Sequence, residues 1–393
     1  MAYSSDLTLR VLGTSVTLIE PLRQAAMADL GFNIDYQVLS GVGAQQTAVL
    51  NPDSFDLYDQ WFHSVELLWT TGAIQPIETG RISAWPRLSD LSTRGYLNPS
   101  DRQPQGIKPV DQLYVQVDGA LGAAATDRIS MLPTVHNVDS FGYDPSSRDI
   151  AQTGVGESWA WLFDPVWHGK CGLLSDPAIG VLDVALAASA AGLIRFDNLG
   201  NLTIEEIDAL IALLVERKKS GHFKHFWATS AESEARMAQR RTLIATLWSP
   251  AVFTVKSSGT SIRNAAPIEG YRAWHGGMCL SSHVDTEHRD AAYAYMNWWL
   301  SGQAGAAMAR QGYYMSELEG TRSCLSDVEW DYLYEGEPAA QDLTDMAGRT
   351  YARAGTTRDG GSYRRRLSNI AVWNTLMDEH NYLVRRWSEF LNS

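Results

Sequence analysis

A chain of 393 residues, 45% apolar and 20% charged, is long enough for two domains and a sizeable core, which excludes a disordered polymer. Its formal charge of -13 leaves no basic stripe to neutralise phosphates, so nucleic acid is excluded as a partner. Cys171, Cys279 and Cys324 fit no metal spacing and read as buried free thiols, with a Cys279–Cys324 bridge as the alternative in an oxidising compartment.

In chain order, the first third predicts alternating strands and helices. Asp6 to Leu12 alternates as a strand ending at Gly13-Thr14-Ser15; Glu20-Pro21 then opens a helix that runs to Leu30 and stops at Gly31. Phe32, Ile34, Tyr36 and Val38 form the next strand. A short helix follows Gly41 and Gly43, and Asp56-Leu57-Tyr58 starts a third strand. Such repetition predicts a mainly parallel sheet whose ligands sit beyond the carboxyl ends of the strands, where Gly13 to Thr17 and Asp59 to His63 fall.

Residues 72–109 are rich in Pro, Ser, Asp and Gly and predict surface loop, with a strand expected at Val115-Gln116-Val117. Pro133 and the alternation after it suit a chain crossing into a second domain. Ile179 to Ile194 is Ala-rich with Asp183 inside it, a buried helix rather than a membrane span, because no apolar run reaches spanning length. Thr203 with Glu206 predicts a capping box for a helix through Leu214, and Ser230 starts another to Gln239. Thr242 to Leu247 is a strand delivering Trp248-Ser249-Pro250. Tyr271 to Leu300 begins with aromatics and a Trp-His-Gly-Gly turn, and ends in a helix whose apolar face carries Ala291, Tyr295, Trp298 and Trp299.

Several of these pieces together resemble the periplasmic solute-binding proteins of bacterial ABC importers, in the spermidine/putrescine-binding branch. The segments DLYDQWFHSVELLWTTGAIQPI (56–77), SWAWLFDPVWHGKCGLLSD (158–176), Thr246-Leu247-Trp248-Ser249, Ala273-Trp274, RQGYYMS (310–316) and VWNTLMDEHNYLVRRWSEF (372–390) fall in the expected order, the last as loop and terminal helices. The resemblance implies a type II periplasmic-binding-protein fold, two α/β lobes around a ligand cleft. Lobe one would comprise 1–131 and 274–320, and lobe two 132–273 and 321–393. It implies no catalysis and no cofactor, a monomer partnered by a small solute and ABC permease subunits, and a mature periplasmic chain whose export signal has been removed.

The sequence departs from the polyamine pattern. Thr14-Ser15-Val16-Thr17 stands where the family carries an aromatic and an acid, Trp274-His275-Gly276 lacks an acid after the Trp, and Pro177 and Gly180 occupy the acidic positions of a second-lobe helix start. A cation in a closed cleft needs an opposing charge, so the expected ligand is a small polar organic solute, amine-bearing but not a classical diamine. Trp61, Trp248 and Trp274 are the expected walls. His63, His136 and His275 supply hydrogen bonds, Asp59 and Asp139 face one cationic group, and Thr14 and Ser15 bind an oxygen. Three alternatives stay open: true putrescine or spermidine binding, a ferric site using Tyr313-Tyr314, and a hydrolase using Asp59, Asp139 and His63. No G-x-S-x-G elbow, H-E-x-x-H motif or phosphate-binding Gly loop favours an enzyme.

Overall fold

The computed structural model of the protein describes residues 7–147, 156–345 and 347–393. A single sheet runs through both halves of the molecule. In chain order its main strands are β1 (Thr8–Gly13), β2 (Asn33–Val38), β3 (Leu57–Trp61), β4 (Leu132–Tyr143), β5 (Cys171–Leu174), β6 (Phe223–Trp227), β7 (Ile244–Leu247), β8 (Tyr271–Ser281), β9 (Tyr314–Met315) and β10 (Ile370–Trp373). In space the order is β6-β5-β7-β4-β8-β3-β1-β2, with β9 beside β4 and β10 beside β8. Each flank is parallel, β2-β1-β3 on one side and β6-β5-β7 on the other, as strand-helix repetition requires. The centre differs: β4 and β8 are long, antiparallel to each other and to the flanking strands β7 and β3.

The helices lie where local signals put them. Helix α1 (Glu20–Leu30) carries Pro in its first turn and ends on Gly31 at φ 74, a left-handed conformation that Gly adopts without a Cβ clash. Helix α2 spans Gly41–Leu50. Helix α3 (Pro177–Ala190) starts on Asp176, whose carboxylate accepts the Ile179 N–H at 3.1 Å. The capping box of Thr203 and Glu206 forms and opens α4 (Ile204–Lys219), which buries Ile207, Leu210, Ile211 and Leu214, each worth about 1.5–3 kcal/mol when removed from water. Helices α5 (Ser230–Ala238), α6 (Ser249–Ser257), α7 (Thr286–Trp299), α8 (Gln303–Arg310) and α9 (His380–Asn392) complete the layers used below.

Three large apolar cores result, beside two smaller clusters among the described residues. One packs β1–β3, α1 and α7; a second packs β5, α3, α4 and α9. The third, holding Tyr314, Tyr332, Tyr334, Leu333 and Tyr363, lies under the middle of β4 and β8, against Val138, Tyr271 and Ala273.

Four expectations need correction. The Trp-His-Gly-Gly turn is strand inside β8, and Gly277 stands where the chains approach closely, since a Cβ there would lie 2.3 Å from the Leu132 carbonyl oxygen. Ile370–Trp373 is a strand, so only the end of the 372–390 segment is helical. The strand expected at 115–117 is Tyr114–Val115. Cys279 is buried in the first core and Cys324 is exposed, and both are free thiols. The expected start of β1 at Asp6 lies outside the described residues.

Candidate functional site

The carboxyl ends of the parallel strands on both flanks converge on one cleft. From β1 the chain turns through Thr14 and Ser15 to Val16; from β3 it ends on Trp61. Across the gap, β5 delivers Ser175 and Asp176, and β7 delivers Trp248, the residue preceding α6. The crossing strand β8 forms the floor with Arg272 and Trp274, joined by Tyr313 after α8 and Asn374 after β10. At the bottom of the cleft Trp61, Trp248, Arg272, Trp274, Tyr313 and Asn374 line a small inner cavity.

Each wall is held from behind. The six-membered ring of Trp61 fills space next to α2 that only a glycine leaves open, since a Cβ on Gly41 would sit 2.5 Å from the indole. On its other side Trp61 stacks on His63, with ring centroids 5.7 Å apart and planes at 13°. Trp248 meets Trp227 edge to face at 5.1 Å, and Trp274 meets Tyr313 in the same way at 5.6 Å. The indole N–H of Trp274 donates to Asp139 Oδ2 at 2.8 Å.

The floor is electrostatically compensated. Arg272 is fully buried; its Nε donates to Asp183 Oδ1 at 2.6 Å, its Nη1 to Asn374 Oδ1 at 3.0 Å, and its Nη2 stands 3.8 Å from Asp139 Oδ2. Burial acts to lower the guanidinium pKa, but Asp183 and Asp139 outweigh it and the net shift is upward. Burial likewise raises Asp183 to about 6 and Asp139 above its ordinary value, although Arg272 opposes both shifts.

The sequence-nominated residues separate into groups. Thr14, Ser15, Trp61, Trp248 and Trp274 border the cleft. His63 lies at its edge, in a side opening shared with Asp176 and His380; burial lowers its pKa to about 4. Asp139 lies behind Trp274 rather than facing the space, with its oxygens engaged by Trp274 and Ser249. Asp59 is buried within the first flank, between Gly13 and Met278 in the sheet. Burial raises it to about 7. His136 and His275 point to the opposite sheet face from Trp274, because successive side chains in a strand alternate. His275 Nδ1 lies 2.8 Å from the Gly276 carbonyl oxygen and its Nε2 2.9 Å from the Ser92 hydroxyl; His136 Nε2 lies 3.1 Å from the Tyr363 hydroxyl.

Two alternatives fail on this geometry. Tyr313 faces the cleft, whereas Tyr314 packs into the third core 4.8 Å from Tyr363 and 5.4 Å from Tyr334, so the pair cannot converge on one ferric ion. Asp139 is committed to Trp274 and Asp59 to the interior of one flank, so these two acids do not face each other as a pair for hydrolysis. Among the described residues no group of three or more His, Cys, Asp or Glu could hold a metal ion.

Sequence reasoning missed Val16, Asp176, Ile179, Arg272, Tyr313 as a wall, and Asn374. Period two carried one usable signal: Arg272 stands two residues before Trp274 and therefore shares its face. Asp176 was also visible, as an acid between a strand and a helix-opening Pro.

The fold and cleft define a two-lobed binding protein. The chain belongs to the bacterial extracellular solute-binding proteins, whose family model matches residues 84–319, more than half of the chain. No curated protein matches it in sequence. Among solved structures it is similar to the spermidine/putrescine ABC transporter substrate-binding protein PotD from Streptococcus pneumoniae, at 14% identity over 98% of both chains with a TM-score of 0.65. It is similar to the Atu4243–GABA receptor, at 16% identity over 98% of this chain and 97% of that one with a TM-score of 0.62. It is also similar to MotA from A. tumefaciens B6, solved with glucopine, at 11% identity over 98% and 99% with a TM-score of 0.60. The shared fold is the type II periplasmic-binding-protein fold. Among the described residues no helix is long and apolar enough to cross a membrane.

Proposed function

We propose that the protein captures a small polar organic solute in the periplasm and delivers it to the permease subunits of an ABC importer, as a monomer and without chemical turnover. The observation that carries this reading is that Trp61 from one flank and Trp248 from the other border the same small cavity, floored by Trp274 and Arg272 of a strand that crosses between them. Walls from two separately cored halves suit a solute bound by closure. The moving units would be residues 1–131 with 274–320 and residues 132–273 with 321–393, turning about the chain near 131 and 273.

The solute would carry at most one strongly cationic group. Asp139 and Asp183 already face Arg272, and Asp59 lies away from the cavity, so the inner end of a desolvated diammonium chain would lack an opposing carboxylate, while Asp176 and Glu234 stand only at the mouth. Structural relatives are named for spermidine and putrescine, for GABA and for glucopine, so this fold is not confined to polyamines.

Calorimetry with the solute that co-purifies, combined with scattering profiles with and without it, tests the reading. Saturable binding, a smaller radius of gyration in the bound state and recovery of the solute unchanged are expected. Turnover of the solute with no change in radius would overturn it, and tight, salt-resistant spermidine binding would restore the polyamine assignment.

A further inference from the structure

We infer, resting on the solute-binding reading above, that the solute's charged head is an N-alkylated ammonium on a molecule that also bears a carboxylate: a betaine, rather than an amine with free N–H groups.

The walls suit a cation that brings no hydrogen-bond donors. No carboxylate lines the inner cavity. Of the nearest acceptors, Asp139 is taken by Trp274 and Ser249 and Asn374 Oδ1 by Arg272 Nη1, while Asp183 gives Oδ1 to Arg272 Nε and its unpartnered Oδ2 is buried away from the cavity lining. A primary ammonium brings three N–H donors, and each one buried without an acceptor opposes binding. An N-methylated ammonium has none to satisfy and is attracted by aromatic faces. Trp61, Trp248, Trp274 and Tyr313 supply those faces from both lobes. Asp139 enhances one of them, because a carboxylate accepting the Trp274 N–H polarises the indole toward a more negative face.

The floor suits an anion. Asp139 and Asp183 offset Arg272 from behind and do not line the cavity, so the group presented to a solute there is the guanidinium, and an opposite charge turns to it while the positive head lies along the rings. Arg272 Nη2 has its Asp139 contact only at 3.8 Å. Asn374 Nδ2 and the Tyr313 hydroxyl make no hydrogen bond to the described residues, although Asn374 is 8% and Tyr313 5% exposed. Three donors among the lining of a small cavity suit a carboxylate. A primary amine would be better served at the mouth, where Asp176 and Glu234 stand.

The test is calorimetry on the full chain, stripped of bound solute by denaturant and refolded. The probes are trimethylglycine against glycine, 4-(trimethylammonio)butanoate against 4-aminobutanoate, and spermidine. At least one trimethylated compound is expected to bind tenfold or more tightly than its unmethylated parent. Trp248→Leu should weaken that binding tenfold or more, with Trp61→Leu on the opposite flank as the second variant should the first fail to fold. Parents that bind as tightly as the methylated compounds would overturn the betaine assignment and leave solute capture standing. So would the absence of binding by either betaine. Tight binding of spermidine alone would overturn the betaine assignment and restore the polyamine one, with solute capture standing.

Discussion

Asp139 accepts the indole N–H of Trp274 at 2.8 Å from the adjoining crossing strand. The carboxylate therefore acts through the ring it orients. Asp139→Asn should weaken every solute, with or without an amine, because it loosens Trp274 and removes one of the negative charges around Arg272. A charge-assisted hydrogen bond of this kind contributes about 1.5–3 kcal/mol, and urea unfolding should register a loss of stability of that order. Calorimetry with a charged and an uncharged ligand separates this outcome from selective loss of the cationic one.

Arg272→Met should be costlier. It strands Asp139 and Asp183, both fully buried, without the guanidinium that compensates them. Removing one partner of a buried ion pair destabilises by about 3–5 kcal/mol. Denaturant midpoints at pH 7 check this, and Asp183→Asn in the same background should recover part of the loss.

Asp59 predicts a pH dependence of definite sign. Burial raises its folded pKa to about 7 from 3.8. As pH rises from 3.8 to 7 the unfolded carboxyl ionises while the folded one stays protonated, so stability falls across that window and stays lowered above it. At full expression the effect is on the order of 4 kcal/mol. Asp59→Asn should therefore gain stability over the parent at pH 8 and show little gain at pH 4, as thermal melts at the two pH values would record.

His275 acts in the opposite direction. Burial lowers its folded pKa to about 4 from 6.5, so below 6.5 the unfolded ring binds a proton that the folded ring refuses. Stability contributed by the neutral ring is present above 6.5 and is lost as pH falls toward 4. His275→Gln should flatten that part of the stability profile relative to the parent, and urea titrations at pH 4.5 and 7 would measure the difference.

Much of the architecture was legible because it is local. Glu20-Pro21 to Gly31 and the Thr203–Glu206 box read as helix ends and are helix ends. The aromatic walls were legible too, since Trp61 and Trp248 directly follow strand signals. What stayed hidden depends on facing. Trp274 and His275 are neighbours in sequence, yet in a strand they must point apart, and His275 joins the buried side with His136, ring centroids 5.0 Å away. Asp139 could be nominated as an acid, but its commitment to Trp274 arises only when two distant strands pair. The same limit applied to Tyr313 and Tyr314, an adjacent pair whose members enter different environments.

The most direct test of solute capture between the two flanks is native mass spectrometry of the purified chain beside a Trp61→Ala, Trp248→Ala double variant, both checked for folding. The account predicts one small solute per chain in the parent, released unchanged on denaturation and lost from the double variant. Equal retention of that solute by both proteins would contradict it.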